Sequence, residues 1–460
     1  MNSNDFASLA LIPELVTNLS SLGYNSMTAI QAQSLPLILK GRDVIGQGQT
    51  GSGKTAAFGL GLLNKLDVKR FRVQSLVLCP TRELAEQVSG ELRRLARSVP
   101  NVKIITLYGG TPIKAQADSI AKGAHIVVGT PGRVEDHLNK GSLPLEELTT
   151  LVLDEADRML DMGFQKTLDA IIDVVPKERQ TLLFSATYPP KIKEIAEKIT
   201  KNAELAKVAP TQDSVRIDEH FYQVVNEKER MHALQLLLLQ QGSLQSVVFC
   251  NTRADAQSVA GGLKSGGFSA AALHGDMEQK DRDQTLIRFS NNSINTLVAT
   301  DVAARGLDID SLDVVFNYHL PRELEVYTHR IGRTGRAGAK GTAHALFQAS
   351  EQFRIDQLES YLGKQITVSE LPPKELASQK PERPVMSTLR IEGGKKQKLR
   401  PGDIVGAITK GGDFKGDQIG KIQVMDNWAY VAIERAIAKS ALNKVSQGKI
   451  KGKSFRVRLI

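Results

Sequence analysis

Short, continuously apolar segments alternate with amphipathic segments along most of the chain. The apolar segments are rich in Val, Ile and Leu, have the length of strands and lie at 75–79, 125–130, 150–154, 181–187, 246–250, 295–300 and 314–318. The segments between them, such as 83–99, carry apolar residues at the spacing of a helix face. Continuous apolar strands separated by helices are typical of parallel sheets that are buried on both faces. The pattern therefore predicts an α/β fold.

The two halves of this pattern resemble each other. SLVLCPTREL at 75–84 and SVVFCNTRAD at 246–255 both give an apolar strand, a cysteine, one residue, Thr-Arg and the start of a helix. This similarity predicts a duplicated α/β unit. Residues 206–220 show no periodicity and are predicted to separate the halves. Residues 371–384 carry four prolines in a polar context and are predicted to form an extended linker.

The last part of the chain has a different pattern. After the linker, the sequence predicts a strand at 386–392, a helix within 403–412, strands in IGKIQVMD and WAYVAIE, a helix in AIAKSALNKVSQ and a strand in SFRVRLI. This β-α-β-β-α-β order over about 75 residues is that of a small ferredoxin-like α+β domain. We therefore expect three domains, at 1–208, 216–371 and 385–460.

Composition excludes several classes of protein. The chain has 460 residues, 41% hydrophobic and 24% charged, as in ordinary globular proteins. Its two cysteines, Cys79 and Cys250, cannot form a disulfide framework or a zinc site by themselves. The N-terminus lacks the features of a secretory signal, and no apolar segment approaches the ~20 residues of a membrane helix. We therefore expect a cytoplasmic protein with reduced thiols and no membrane partner.

The net charge of +10 is unevenly distributed. Residues 385–460 carry sixteen Lys and Arg against six Asp and Glu, whereas the rest of the chain carries forty-four of each sign. The whole excess of positive charge therefore lies in the predicted third domain. A basic module attached to a neutral one indicates binding of a polyanion. A basic domain that only improves solubility is the alternative.

Residues 48–55, GQTGSGKT, fit the phosphate-loop pattern G-x-x-x-x-G-K-[ST] between a predicted strand at 43–47 and a predicted helix at 56–63. The glycines allow backbone N–H groups to surround phosphates, and the helix N-terminus adds positive potential. We expect Lys54 to neutralise the β- and γ-phosphates and Thr55 to ligate Mg²⁺. The other residues expected to contact the nucleotide here are Thr50, Gly51, Ser52 and Gly53.

Two carboxylates stand at the end of the apolar strand 150–154. Asp154 and Glu155 lie where the carboxyl end of a parallel strand faces the ligand crevice. Asp154 is suited to hold the water shell of Mg²⁺, and Glu155 to orient and deprotonate an attacking water. A solvated acidic turn is the alternative, but the phosphate loop in the same half of the chain favours the catalytic interpretation.

The segment HRIGRTGR at 329–336 places three arginines and a histidine within eight residues. So many positive charges at close spacing require an anion. We expect Arg333 and Arg336 to reach a γ-phosphate across a domain cleft as arginine fingers and to stabilise the transition state. A plain RNA or phosphate patch is the alternative.

Taken together, these motifs resemble those of DEAD-box ATP-dependent RNA helicases over residues 6–370. The further motifs that carry the resemblance are PTREL (80–84), Gly109-Gly110, TPGR (130–133), DEAD (154–157), SAT (185–187), FCNTR (249–253), Gln279 with Arg282, and ATDVAARGLD (299–308). The resemblance implies two tandem RecA-like domains with parallel sheets. It also implies that ATP and RNA bind across the cleft between them.

The resemblance assigns roles to individual residues. Gln31 would read adenine and Phe6 would stack on the base, with ordinary core packing as the alternative for Phe6. Met27 stands where the family usually has a proline. The resemblance implies that Ser185 and Thr187 couple hydrolysis to strand separation and that Asp308 approaches the ribose. The positions implied to contact the RNA backbone are Arg82, Gly110, Thr130, Arg133, Gly275, Arg282 and Thr300.

The third domain resembles an RNA recognition motif (RRM). In DNWAYVAI (426–433), alternation would place Trp428 and Tyr430 on the open face of the sheet and the small apolar residues in the core. However, Arg390 stands in the first strand where an aromatic residue is common. The sequence therefore leaves two alternatives for Trp428 and Tyr430. They stack on RNA bases, or they cover hydrophobic surface of the protein.

Two basic clusters in this domain, 393–400 and 448–458, suit recognition of folded RNA through its phosphates, with a merely solvated basic face as the alternative. The residues assigned to RNA are Lys395, Lys396, Lys398, Arg400, Lys451 and Lys453. A DEAD-box core with such a domain resembles bacterial family members whose C-terminal domain binds a hairpin of 23S rRNA during assembly of the large ribosomal subunit.

This resemblance implies an RNA-stimulated ATPase that locally unwinds short RNA duplexes. It would use ATP and Mg²⁺ and act as a monomer on pre-large-subunit ribosomal particles. An ATP-gated RNA clamp that displaces proteins with little unwinding is the alternative, because both activities need the same motifs. A DNA helicase is disfavoured by the RRM-like domain.

Overall fold

The computed structural model describes residues 5–48, 51–208, 217–304, 312–335 and 340–460. These residues fall into two compact units that divide between 208 and 217. The predicted contacts of Thr50, Asp308 and Arg336 lie outside the described residues. Among the described helices, none combines the length and the apolar character needed to cross a membrane.

The first unit is built on a parallel sheet. Its described strands are β1 (Val44–Gln47), β2 (Ser75–Leu78), β3 (Ile104–Leu107), β4 (Ile126–Gly129), β5 (Thr150–Asp154), β6 (Gln180–Ser185) and β7 (Glu204–Lys207). The spatial order is β3-β4-β2-β5-β6-β1-β7, and every neighbouring pair is parallel. The carboxyl ends of the strands therefore meet at one edge.

Helices cover both faces of this sheet. They are α1 (Pro13–Ser21), α2 (Ala29–Leu39), α3 (Lys54–Lys65), α4 (Arg82–Leu95), α5 (Ile113–Ala121), α6 (Pro131–Asn139), α7 (Ala156–Asp161), α8 (Gln165–Val174) and α9 (Pro190–Ile199). Along β5, Val152 joins one core and Leu151 and Leu153 join the other. The uninterrupted apolar strands follow from this burial on two sides.

The second unit begins with another parallel sheet. Its described strands are β8 (Ile217–Val224), β9 (Ser246–Cys250), β10 (Ala270–Leu273), β11 (Thr296–Thr300), β12 (Val314–Asn317) and β13 (Gly341–Gln348), in the order β10-β11-β9-β12-β13-β8. The described helices are α10 (Glu227–Gln241), α11 (Arg253–Ser265), α12 (Gln279–Ser290), α13 (Asp301–Ala304), α14 (Leu324–Ile331) and α15 (Gln352–Leu362).

The predicted duplication is visible in local detail. Cys79 follows β2 and Cys250 ends β9, and both side chains are fully buried. Thr81 then caps α4 by accepting a hydrogen bond from Leu84 N at 3.2 Å, and Thr252 caps α11 by accepting from Asp255 N at 3.1 Å. The same short sequence therefore makes the same strand-to-helix turn in both sheets.

The second unit ends in a four-stranded antiparallel sheet, which confirms the predicted β-α-β-β-α-β plan. Its elements are β14 (Met386–Ile391), α16 (Pro401–Thr409), β15 (Ile419–Val424), β16 (Ala429–Glu434), α17 (Ala438–Gln447) and β17 (Val457–Leu459). The strand order is β15-β16-β14-β17. The α/β class with two parallel sheets and a small α+β domain is thus confirmed.

The segment 206–220 separates the two units as predicted, although β7 extends into it to Lys207 and β8 starts within it at Ile217. The second predicted connection is wrong. The segment 371–384 is not an extended linker, because its turn Lys374–Ser378 packs on α10. Its end is also held, since Arg435 Nε donates to Pro384 O at 2.5 Å.

Candidate nucleotide-binding and RNA-binding site

The motifs of the first unit meet at the carboxyl edge of its sheet. The phosphate loop follows β1, PTREL follows β2, Gly109-Gly110 follows β3, TPGR follows β4, DEAD ends β5 and SAT ends β6. Residues separated by more than a hundred positions in the sequence are thus brought to one surface. This is the edge at which α/β sheets bind ligands.

Lys54 and Gly53 define the phosphate loop. Gly53 has φ +92° and precedes α3, and a Cβ there would lie 2.5 Å from the Gln31 amide nitrogen, so the position requires glycine. Lys54 is 6% exposed, and its Nζ donates to Gly48 O at 2.6 Å. The ammonium is therefore held inside the loop that would receive phosphates.

Gln31 is joined to the same loop. Its Oε1 accepts from Thr28 N at 2.9 Å and its Nε2 donates to Gly53 O at 3.1 Å. The structure thus brings the residue predicted to read adenine next to the phosphate loop. Phe6 is 4% exposed and meets Tyr24 edge to face at 6.2 Å between ring centroids. Met27, at the position where the family usually has a proline, is also buried in this core.

Asp154 has the character of a cation ligand. Its side chain is 3% exposed, and burial raises its pKa to about 7, although the charge of Lys54 favours the ionised form. Its Oδ1 is buried and has no hydrogen-bond partner within the part of the chain that the structure describes. A magnesium ion is commonly held by one or two carboxylates together with substrate phosphates. An orphaned buried carboxylate oxygen beside the phosphate loop fits such an ion.

Glu155 has an unusual backbone and a buried partner. Its φ of +53° lies in the left-handed region, which costs a residue with a Cβ about 1–2 kcal/mol. Its Oε2 accepts from Arg158 Nη1 at 2.8 Å, and both side chains are less than 8% exposed. Arg158 belongs to none of the motifs to which the sequence assigns a role. Its position three residues after Glu155, one turn along α7, is the signal that could have identified it.

SAT and DEAD are joined directly. Asp157 Oδ2 accepts from Thr187 N at 2.9 Å and from Thr187 Oγ1 at 2.8 Å, and Asp157 N donates to Ser185 Oγ at 3.4 Å. Burial opposes the charge of Asp157, but the hydrogen bonds from Thr187 and Ser185 outweigh it and lower its pKa. A displacement of the DEAD segment would therefore be transmitted to Thr187 through these hydrogen bonds.

The predicted RNA-contact residues of this unit lie beside the nucleotide motifs at the same edge. The Arg82 guanidinium lies over the Tyr108 ring at 4.5 Å from its centroid. Gly110 is exposed and has φ +81°. Arg133 Nη1 donates to Thr111 O and to the Gln116 amide oxygen, both at 2.9 Å. Thr130 precedes α6 and is partly exposed.

In the second unit, Arg330 of HRIGRTGR is paired with a carboxylate of the same unit. Arg330 is 2% exposed, and its Nε and Nη2 donate to the two carboxylate oxygens of Asp301 at 2.6 and 2.7 Å. Nη1 also donates to Asn317 Oδ1 at 3.1 Å. Arg330 therefore stabilises the sheet edge. Arg333 is 7% exposed in the turn that follows α14.

The remaining RNA positions of this sheet are grouped at its carboxyl edge. Gly275 is exposed just beyond β10, and Thr300 ends β11 with 7% exposure. Arg282, on α12, donates from Nη2 to Ala303 O at 2.9 Å.

The two basic clusters of the last domain form one surface. Lys451 Nζ donates to Lys398 O at 3.1 Å, so the loop after α17 lies against the loop after β14. The six side chains assigned to RNA are exposed, namely Lys395, Lys396, Lys398, Arg400, Lys451 and Lys453. Two loops with this much exposed charge can accept a folded polyanion.

One face of the antiparallel sheet is covered by the preceding domain. Thr388 is completely buried, and its Oγ1 lies 2.7 Å from Ser293 Oγ, beyond the end of α12. Trp428 lies between Arg390, 4.6 Å from the ring centroid, and Lys280 of α12, 5.7 Å from it. Tyr430 is only 4% exposed. In this arrangement the two aromatic residues belong to an internal interface, which favours coverage of surface over stacking on RNA bases.

Comparison with known proteins agrees with this geometry. The DEAD/DEAH box helicase family matches residues 28–195, the helicase conserved C-terminal domain matches 229–338, and the DbpA RNA binding domain matches 388–459. The chain is 50% identical over 456 residues to the ATP-dependent RNA helicase DbpA of Escherichia coli, covering 99% of both chains. It is 37% identical to DbpA of Bacillus subtilis, covering 98% of both.

The fold is also similar to a solved structure. The structure of S. cerevisiae Dbp5 bound to RNA and ADP BeF3 matches with a TM-score of 0.71 and 31% identity, over 80% of this chain and 96% of that chain. This match leaves about a fifth of the chain uncovered, whereas the matches to the DbpA relatives cover nearly all of it.

Proposed function

Since the chain belongs to the DEAD-box ATP-dependent RNA helicases and carries the RNA-binding domain of the DbpA group, we propose that it locally unwinds short duplexes near a 23S rRNA hairpin. It would act in the cytoplasm, as a monomer, on particles that are becoming large ribosomal subunits. The chain hydrolyses ATP and binds RNA, as the family does. The observation that carries the finer proposal is the single basic surface made by the loops of Lys398 and Lys451.

We propose that the carboxyl edge of the first sheet performs the hydrolysis. Lys54 and the N–H groups of the phosphate loop would hold the β- and γ-phosphates, and Gln31 would select adenine. Thr55 and Asp154 would hold Mg²⁺, which neutralises charge on the phosphates. Glu155, with one carboxylate oxygen held by Arg158, would use the other oxygen to orient the attacking water.

Arg333 and Arg336 of the second unit would complete this site by stabilising charge in the transition state. Their contribution requires the two units to close on the nucleotide. In the same closure, the residues of both sheets that are assigned to the RNA backbone would grip the RNA strand. Since each base-pair step is worth about 1–2 kcal/mol, one closure would separate only a short helix. Hydrolysis would then release the strand.

The docked antiparallel domain supports a fixed geometry for this reaction. Thr388, Arg390 and Trp428 hold it on α12 and the turn beyond, and its basic loops remain exposed. A hairpin bound to those loops would present nearby RNA at high effective concentration to the helicase sheets. The rRNA would therefore be selected by the third domain and unwound by the other two.

A strand-displacement assay tests the proposal. A short duplex is attached to the 23S rRNA hairpin or to an unrelated hairpin of the same length, and release is followed with limiting protein and excess ATP. We expect multiple turnovers and faster release from the 23S substrate. Lys398→Glu with Lys451→Glu should remove the preference, whereas Lys439→Glu, an exposed lysine on α17 of the same domain, should keep it.

Two results would contradict the proposal. Release that reaches only one strand per protein molecule would indicate the ATP-gated clamp. A chain that ends at residue 384 and still prefers the 23S substrate would show that the third domain does not select the RNA.

A further inference from the structure

Gln116 of α5 lies at the centre of a buried polar network behind the predicted RNA-contact turn. It is 8% exposed. Its Nε2 donates to Tyr108 O at 3.1 Å and to Thr111 Oγ1 at 2.6 Å. Its Oε1 accepts from Arg133 Nη1 at 2.9 Å and lies 3.0 Å from His137 Nε2. All four hydrogen-bonding positions of the amide are therefore used.

The chemistry of the partners fixes the orientation of this amide. An arginine can only donate and a backbone carbonyl can only accept, so the Gln116 oxygen must face Arg133 and its nitrogen must face Tyr108 O. His137 Nε2 must then donate to the same oxygen, which leaves Nδ1 to accept from Ser142 Oγ at 2.7 Å. Burial lowers the pKa of His137, and Arg133 lowers it further, which favours the neutral ring.

The network connects two segments that the proposed function assigns to the RNA backbone. Tyr108 and Thr111 flank Gly109 and Gly110, which are exposed. Arg133 and His137 lie one turn apart on α6, the helix that begins after Thr130. Gln116 is bonded to both segments, and Arg133 bonds Thr111 O directly at 2.9 Å.

We propose that Gln116 is a positioning residue for RNA binding, which holds the Tyr108–Thr111 turn against α6 so that both present one contact surface to the RNA backbone. The proposal rests on the proposed role of Gly110, Thr130 and Arg133. Gln116 itself does not contact RNA. Since the glycine turn has few side chains of its own to fix it, its shape depends on the amide behind it.

The substitutions Gln116→Glu and Gln116→Met both remove the bonds that Gln116 donates to the glycine turn. Glutamate keeps an acceptor for Arg133 and His137 but loses the donors to Tyr108 O and Thr111 Oγ1, whereas methionine loses all four bonds at similar volume. Both variants should raise the concentration of polyuridine RNA that gives half-maximal ATPase by about tenfold. The kcat at saturating RNA and the KM for ATP should stay within about twofold, because Gln116 bonds no residue of the phosphate loop or DEAD motif.

Gln74 provides a matched control for loss of stability. It is also 8% exposed, donates from Nε2 to Asp67 O at 2.8 Å and to Arg70 O at 2.9 Å, and precedes β2 at the opposite edge of the sheet. Gln74→Met should lower the melting temperature as Gln116→Met does, with the RNA requirement within about twofold of the parent chain.

Other results would contradict either the positioning role of Gln116 or the proposed RNA-binding surface. An unchanged RNA requirement in both Gln116 variants would overturn the positioning role, as would an equal rise in Gln74→Met. If the parent chain shows no stimulation by RNA, or if Arg133→Met and substitutions at Gly110 leave the RNA requirement unchanged, the proposed function fails at this surface instead.

Discussion

The Arg158 guanidinium lies 2.8 Å from one carboxylate oxygen of Glu155, and both groups are buried. The contact fixes a side chain whose backbone is already held at φ +53°. The ion pair restricts the side-chain rotamers of Glu155, so its second carboxylate oxygen points in a defined direction. If Glu155 aligns a water with a phosphate, as proposed, this preorganisation would lower the barrier to reaction.

Replacing Arg158 by methionine should therefore reduce kcat for ATP hydrolysis by about 10–100-fold, with a much smaller effect on the KM for ATP. The measurement is steady-state ATPase at saturating RNA. Arg158→Lys should recover part of the rate, because it keeps the charge but not the planar geometry. Arg179→Met, which alters another arginine of the same unit, serves as the control. A full rate in Arg158→Met would show that the ion pair has no part in positioning Glu155.

The second prediction concerns the ammonium inside the phosphate loop. Lys54→Ala should lower ATP-dependent strand release by at least about 100-fold, because no other lysine is described within the loop to neutralise the phosphates. Binding of the full-length variant to the 23S hairpin should be unchanged, since the basic loops lie in the second unit. Gel-shift and displacement assays on one preparation measure both quantities, with Lys69→Ala on an exposed lysine as the control.

The placement of the nucleotide motifs at one edge of the sheet could be predicted from the sequence because each motif is local. GQTGSGKT, DEAD and SAT each define a turn at a strand end, and the parallel sheet brings these turns together without further information. The predicted strands and the β-α-β-β-α-β order were confirmed for the same reason, since apolar runs and their spacing are visible in single segments. Strands β3, β7, β8, β10 and β13 were not predicted. For β10 the reason is its sequence, AAAL, because alanine is depleted in strands.

What the sequence did not predict depends on contacts between distant residues. Arg330 was grouped with Arg333 and Arg336, but its partner Asp301 precedes it by 29 positions and is recognisable only in the fold. The contacts of Thr388 with Ser293 and of Arg390 with Gln284 span 95 and 106 positions. Gln116 has no motif at all, and its role emerges only from the four partners around its amide.

Arg330 should behave as a structural residue. Arg330→Lys cannot reproduce the bonds to both Asp301 oxygens and to Asn317, so it should destabilise the second unit by about 3 kcal/mol or more. Thermal unfolding of the full-length chain measures this loss, and Arg322→Lys on the exposed surface should show none. An Arg330→Lys protein that melts normally but has lost kcat would instead place Arg330 in the catalytic machinery.

His344 should make the second unit sensitive to acid. The side chain is buried among Phe316, His220 and Tyr222, and burial lowers its pKa to about 3, with the His220 charge acting in the same direction. The unfolded chain binds a proton near pH 6.5 and the folded chain does not, so stability falls as the pH drops below 6.5. The loss from this group between pH 7 and 5 should be about 2 kcal/mol.

The replacement His344→Gln removes the titrating group and tests this assignment. Denaturant unfolding of the variant should depend less on pH between 7 and 5 than that of the parent chain, by roughly the same 2 kcal/mol. His232→Gln alters a partly exposed histidine on α10 and should leave the slope unchanged. Equal slopes for the parent chain and His344→Gln would assign the acid sensitivity to other groups.

The final prediction uses the single tryptophan of the chain as a reporter of docking. Thr388→Val keeps the shape of the side chain but removes the hydroxyl that meets Ser293 Oγ and Asn291 Nδ2, leaving two buried polar groups without this partner at a cost of about 1–3 kcal/mol. The interface should loosen, and Trp428 should lose its place between Arg390 and Lys280. We therefore expect its emission to shift to longer wavelength and acrylamide to quench it more efficiently.

The control is Thr409→Val, which removes a hydroxyl that donates to Val405 O within α16 of the same domain. It should leave the emission of Trp428 unchanged. If docking sets the geometry of unwinding, Thr388→Val should bind the 23S hairpin with full affinity but release the attached strand more slowly, because the basic loops are intact while their orientation is not. A variant with exposed Trp428 and an unchanged rate of strand release would show that a flexible tether is sufficient.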